Sequence, residues 1–188
     1  MPLVGLSGTP GVGKTSAARI LEKKGCAVIY LTDLIEANPG FVTGYDRRRK
    51  TKEVDASKIR RFIKREYSRA FKKQPVLVDS HYAYLLGVDF NIVLRCSPDE
   101  LGRRLARKKY AKDKKRENIE SEVLDVITIE SVAALGKDKV YEIDTTHKTP
   151  DAVARAVLEI IRMGGNKKAV RKYGTGRIDW SSEVLKWY

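Results

Sequence analysis

The chain has 188 residues, 42% of them apolar, and a formal net charge of +14. That length and apolar content suffice for one domain with a sizeable core, while no apolar run is long enough to span a bilayer. The positive excess disfavours cationic ligands and predicts an acidic partner, nucleotide or nucleic acid.

MPLVGLSGTP, at the amino end, lacks the basic stretch, apolar block and small-residue cleavage site of an export signal. The expected location is therefore inside the cell, in the cytoplasm or, in a eukaryote, the nucleus. Cys26 and Cys96 each stand in an apolar, strand-like run with no CxxC pair or histidine cluster nearby, and read as reduced core thiols.

In chain order, PLVGL at 2 to 6 reads as a strand that runs into the glycine-rich GTPGVGKT at 8 to 15, and Ser16 to Lys24 reads as a helix with Ala17, Ile20 and Leu21 on one face. CAVIYL at 26 to 31, PVLVDS at 75 to 80 and FNIVLRC at 90 to 96 have the β-branched, unalternating character of strands buried on both faces of a parallel sheet. Ile59, Phe62, Ile63, Tyr67, Ala70 and Phe71 recur at helical steps, as do Ile119, Val123, Val126, Ile127 and Ala134. SPDE at 97 to 100 reads as a capping box with Pro98 in the first turn, VYEID at 140 to 144 as a fifth strand, and Thr149-Pro150-Asp151 as the start of a helix that buries Val153, Val157 and Ile160. Helix ends are expected near Gly136 and Gly164. Strand and helix alternate, which predicts an α/β fold with a five-stranded parallel sheet. The expected division is a domain at 1 to 163 and a basic extension at 164 to 188, with a short helix at Ser182 to Trp187. The extension reads first as a piece packed on the surface. Alternatively, Tyr173, Trp180, Trp187 and Tyr188 would stack on RNA bases.

Gly8, Gly13, Lys14 and Thr15 meet the pattern G-x-x-x-x-G-K-[ST] between a strand and a helix. Glycines leave the backbone bare, so N–H groups from Gly11 to Thr15 can converge on phosphate oxygens at the positive end of the helix dipole. Lys14 would reach the β and γ phosphates, Thr15 would ligate Mg²⁺, and Ser16 would reach the α phosphate. Asp79, ending an apolar strand, is the expected second metal ligand. His81 either orients a water or substrate hydroxyl or is a solvated loop residue. No Asn-Lys-x-Asp guanine signature is present.

GTPGVGKT, Asp79-Ser80-His81, RRLARKKY and Glu117-Asn118-Ile119-x-x-Glu122 together resemble the adenylate kinase isoenzyme six family, small coilin-interacting NTPases of the P-loop nucleoside monophosphate kinase group that assist small ribosomal subunit maturation. The resemblance covers residues 1 to about 163. It implies ATP contacts at Gly11, Gly13, Lys14, Thr15 and Ser16, metal contact at Asp79 and catalytic support from His81. It further implies a monophosphate-binding region from about Tyr30 to Glu53 with Asp33 at the acceptor, a short lid from about Arg107 to Glu117, and Arg104 over the adenine ring. Relatives have an Arg before a Gly-Tyr pair in the lid; here the phosphate-contacting cation is Lys108 or Arg107. The implied reaction is ATP plus AMP to two ADP, with ATPase activity at the same site. Leaky closure of a short, charged lid would favour hydrolysis.

Segment 103 to 116 holds nine Lys or Arg and one acid, Asp113. Beyond it, RRRKTK at 47 to 52 and the helix 58 to 73, with eight Lys or Arg and a single Glu66, exceed the needs of a nucleotide site. Composition points to RNA. The resemblance implies a complex with the small-subunit platform protein, for which Glu117, Glu120, Glu122 and Asp125 would be docking acids. The alternative is a housekeeping kinase whose surplus charge serves solubility and steering.

Overall fold

The computed structural model describes residues 1–47, 51–108, 110–164 and 166–187. Arg48, Arg49 and Lys50 of the RRRKTK patch, Lys109 of the lid and Tyr188 lie outside the described residues. The strands are β1 (Leu3–Ser7), β2 (Ala27–Tyr30), β3 (Val42–Asp46), β4 (Thr51–Val54), β5 (Val76–Asp79), β6 (Phe90–Arg95) and β7 (Val140–Asp144). The helices are α1 (Lys14–Lys23), α2 (Leu31–Ala37), α3 (Ala56–Glu66), α4 (Ala70–Lys73), α5 (Pro98–Arg107), α6 (Lys112–Val123), α7 (Val126–Leu135), α8 (Pro150–Met163) and α9 (Lys167–Tyr173). No helix among the described residues is long and apolar enough to cross a membrane.

Five strands form one parallel sheet in the order β2-β5-β1-β6-β7. β5 and β6 are buried at every position, as their largely apolar sequences suit when helices cover both faces, with Asn91, Arg95 and Asp79 as the buried polar exceptions. On one face Leu6, Leu94 and Ile143 pack with Ala17 and Leu21 of α1, Leu101 and Leu105 of α5, and Val153, Val157 and Ile160 of α8. On the other, Ile29, Val76 and Val78 pack with Ile59 and Ile63 of α3 and with Leu86. Each of these Leu, Ile and Val side chains contributes about 1.5–3 kcal/mol by leaving water. Because β1, β5 and β2 run side by side, Ser7, Asp79 and Tyr30 reach the same edge of the sheet.

Five features depart from the expected elements. β3 and β4 form a separate antiparallel hairpin within the 30–53 region. The helical pattern across 119 to 134 is two helices, broken at Asp125, whose φ is 54°. α7 turns Thr128 and Ser131 inward and leaves Ile129 exposed, because buried polar groups on the sheet need partners. Asn91 donates to Ser131 Oγ (2.9 Å), and Thr128 Oγ1 donates to Glu142 (2.9 Å).

The capping box at 97 to 100 also fails to form, although Pro98 does open α5. Thr146 Oγ1 accepts the Ser97 N–H (2.8 Å) that Glu100 would have taken, and Glu100 pairs with Arg104 instead. Thr149 caps α8 as expected, accepting from the Ala152 N–H. After Gly164 the chain forms α9, which the glycine-rich sequence concealed. Ala169 is wholly buried, Tyr173 donates to Glu159 (2.6 Å), Gly174 bridges to Tyr141, and the Gly176 N–H donates to Glu142 (2.9 Å). Residues 181 to 187 form a 3-10 helix.

Candidate active site

The loop between β1 and α1 is open toward solvent and braced from behind. Gly13 caps α1 at φ 108° with no side-chain cap, and a Cβ there would meet nothing within 4 Å, so the first N–H groups of the helix face free space. Gly11, at φ 102°, is bare for the opposite reason: a Cβ would come within 2.8 Å of Leu105 and 2.9 Å of Leu101 on α5. Three side chains hold the rear of the loop. Thr9 Oγ1 donates to Glu122 (2.6 Å), while Thr145 Oγ1 (2.9 Å) and Arg104 Nη1 (3.2 Å) donate to the Val12 carbonyl.

Lys14 Nζ folds back to donate to the carbonyls of Gly8 (2.6 Å) and Thr9 (3.1 Å). Burial pulls its pKa down to about 8, against the opposing attraction of Asp79 and Glu122. Thr15 Oγ1 donates to Asp79 Oδ2 (2.7 Å). Burial raises the Asp79 pKa, which Thr15 and Lys14 counteract. A hydroxyl and a carboxylate side by side, next to an anion-binding loop, form the oxygen donor set that a hard divalent cation prefers, so these residues fit magnesium. His81 stands on the cleft surface with its ring edge-on to Tyr82 (4.6 Å, 89°). Crowding by protein atoms, followed by the charges of Lys14 and Lys114, holds its pKa below the ordinary imidazole value. It is therefore neutral near pH 7, with a ring nitrogen free to accept a proton.

A cleft of about 700 Å³ brings together Gly11, Gly13, Lys14, Thr15, Ser16, Asp33, Asp79, His81 and Lys108. Tyr82 and Arg19, which carried no motif in the sequence, complete its walls together with Tyr30 and Tyr110. Of the two lid cations, Lys108 lines the cleft; Arg107 is exposed at the end of α5 and is not among the lining residues. The guanidinium of Arg104, the residue expected over an adenine ring, is held by Glu100 (3.0 Å), the Thr145 carbonyl (2.8 Å) and the Val12 carbonyl (3.2 Å), so that it also braces the loop.

Beneath the loop lies a charged cluster without a sequence motif. Arg95, 1% exposed at the end of β6, donates to Glu122 (2.7 Å) and Glu142 (2.6 Å) and pairs with Asp125. Burial disfavours its charge, but the three carboxylates outweigh that and raise its pKa. Glu122 also accepts from the Cys96 N–H (3.1 Å). This corrects the expectation that Glu122 and Asp125 are docking acids: both are held by Arg95, and Glu122 is buried. Glu117 and Glu120 are on the surface side of α6, paired with Lys114 (2.9 Å) and Arg116 (3.2 Å).

The family described as AAA domain matches residues 4–125. A protein named "Putative adenylate kinase" from Pyrococcus furiosus is 37% identical over 181 residues, covering 95% of this chain and 91% of that protein. Another of that name from Methanosarcina acetivorans is 36% identical over 189 residues, covering 97% and 99%. Among solved structures, a thymidylate kinase from Candida albicans superposes with a TM-score of 0.51 at 14% identity, over 87% of this chain and 92% of that one, a likeness of fold alone. With a P-loop fold, a family match across most of its length and relatives more than a third identical end to end, the chain belongs to the AAA-domain family matched here and, with these archaeal proteins, to the P-loop nucleoside monophosphate kinase superfamily.

Proposed function

We propose that the chain is an adenylate kinase, transferring the γ-phosphoryl group of ATP to AMP to give two ADP, that it hydrolyses ATP at the same site, and that it acts in maturation of the small ribosomal subunit. The observation that carries the catalytic part is the single cleft that places the open start of α1, the Thr15–Asp79 pair, Asp33 and Lys108 around one volume.

Backbone N–H groups of the loop take the triphosphate, with Gly11, Gly13, Lys14, Thr15 and Ser16 as its contacts. Lys14 leaves the Gly8 and Thr9 carbonyls for the β and γ phosphates, a stronger acceptor for its charge. Thr15 and Asp79 hold magnesium, which, when bound, neutralises charge on the phosphate oxygens. Asp33, on α2, lies on the acceptor side. In transfer, an oxygen of the AMP phosphate forms the new P–O bond as the bond to ADP breaks. In hydrolysis a water oxygen takes that place, and neutral His81 orients it and accepts its proton. Lys108 meets the charge of the moving group when the lid closes. α5 ends at Arg107 and α6 starts at Lys112, so the cover is short. That brevity supports a site that admits water and hydrolyses ATP beside transferring it.

The ribosomal part is supported by the resemblance to the isoenzyme six family and by cationic surface outside the cleft. Glu117 and Glu120 are the acids open to a basic platform protein; rRNA is the partner the overall charge fits. One assay tests both parts: ADP formation from ATP plus AMP, and ATP hydrolysis, each with and without small-subunit protein or rRNA fragments. Transfer at about 10 to 10³ per second with no response to ribosomal components would overturn the ribosomal part. Absence of both reactions would overturn the catalytic part.

A further inference from the structure

α3 is amphipathic in an unusual sense, with a core flank and an almost wholly cationic outer flank. Ile59 and Ile63 are wholly buried, while Lys58, Arg61, Lys64 and Arg65 are exposed on the other side of the helix. Arg69, Lys72 and Lys73 continue the exposed charge through α4, and the one acid of the stretch, Glu66, pairs with Arg65 (2.7 Å). These exposed positions carry no apolar side chain to insert into a lipid surface.

Against this face lies a second cleft, of about 760 Å³, between the 38–41 turn and α3. Lys58, Arg61 and Arg65 rim it, and Phe41 and Phe62 form its floor. The two rings meet edge to face (5.3 Å, 76°), and the Arg65 guanidinium lies 5.7 Å from the centre of the half-buried Phe62 ring. The cleft shares no lining residue with the phosphate site. A row of cations alone would suit any polyanion. Cations beside an accessible ring and a planar guanidinium suit an unstacked base together with its flanking phosphates.

We propose that the outer face of α3 and the cleft beside Phe62 bind single-stranded RNA, the phosphates on Lys58, Arg61, Lys64 and Arg65 and a base against Phe62 and Arg65. The surface gives the RNA arm of the ribosomal reading a location; it rests on that reading only for which RNA is bound. Four phosphate contacts at about 0.7 counterions each give a salt slope near −2.8, or about a fiftyfold loss of affinity between 50 and 200 mM salt.

The test is fluorescence anisotropy of a labelled single-stranded 15-mer with the full chain. The double variant Arg61→Glu, Lys64→Glu should weaken binding more than tenfold and flatten the slope by about 1.4, leaving AMP phosphorylation unchanged. Arg162→Glu, Arg171→Glu, with the same change of charge on helices covering the other face of the sheet, should stay within twofold. Equal loss in both variants, tighter binding of duplex than of single strand, stronger capture of an acidic polypeptide, or displacement of RNA by AMP would each overturn the proposal. Oligonucleotides of small-subunit sequence bound no better than oligouridine would remove the ribosomal identity of the RNA and leave the surface standing.

Discussion

Glu122 is a residue of α6 that never reaches the cleft, yet its replacement should be felt there. One oxygen accepts from Arg95 Nε and the Cys96 N–H, and the other from Thr9 of the phosphate loop. Glu122→Ala leaves all three donors without that acceptor in a buried setting. Arg95 keeps Glu142 and Asp125, so the cost is desolvated hydrogen bonds and not a lone charge, about 3–5 kcal/mol. For a chain of this size that lowers the midpoint of thermal unfolding by about 10–15 °C. Glu122→Gln keeps an oxygen toward Arg95 and Cys96 and turns its amide toward Thr9, whose hydroxyl can accept instead. The loss is then the charge alone, about 1–2 kcal/mol. Thermal unfolding of the two variants, with ATP affinity measured in parallel, checks the order: alanine worse than glutamine, with ATP binding weakened in the alanine variant, where Thr9 loses its anchor, and largely kept in the glutamine variant. If glutamine were as damaging as alanine, or alanine cost under about 1 kcal/mol, the donor accounting would be wrong.

Lys14→Met should stabilise the nucleotide-free protein. With its pKa lowered from 10.5 to about 8, Lys14 binds fewer protons folded than unfolded between those values. Stability therefore rises with pH across that window, and below pH 8 the burden is complete, at most about 3 kcal/mol. The gain in unfolding temperature at pH 7 should shrink as pH nears 10.5, while ATP binding is lost at every pH; a gain independent of pH would refute the cause given. Asp79→Asn should keep a contact with Thr15 but abolish magnesium-dependent transfer and hydrolysis in a coupled assay. His81→Ala should reduce hydrolysis more than ATP affinity, and equal losses would remove its role toward water. Lys108→Ala should lower transfer at least tenfold and Arg107→Ala less than twofold, as read by initial ADP formation.

The parts of this fold that were legible in the sequence are those enforced by local rules. β5 and β6 are dominated by apolar residues because both faces are covered, and the phosphate loop is written in glycines and Lys14-Thr15 because backbone N–H groups must approach a ligand. The concealed parts are answers to distant residues. The polar inner face of α7 is set by Asn91 and Glu142 on neighbouring strands, so apolar periodicity alone chose the wrong face. α9 is held by Glu159 and the turn after it by Glu142, residues outside the glycine-rich extension.

Arg95 shows why the same limit reaches the site. Nothing in the run FNIVLRC says what pairs with its arginine, because β6 lies inside the sheet, between β1 and β7, and the partners of Arg95 lie 27, 30 and 47 positions further on. A charge placed there demands acids from α6, from the α6–α7 break and from β7. Once those are assembled, the spare oxygen of Glu122 falls to Thr9. The loop that meets phosphate is thereby tied to the helix that follows the lid, and movement of α6 on lid closure must be transmitted to, or resisted by, the hydroxyl of Thr9. Thr9→Val, which cuts this tie and leaves the Arg95 cluster whole, should alter ATP affinity with a stability loss of about 1–3 kcal/mol for the buried Glu122 oxygen left without its donor, smaller than that of Glu122→Ala. Equal stability losses in the two variants would mean that the cluster, and not the tie, holds the loop.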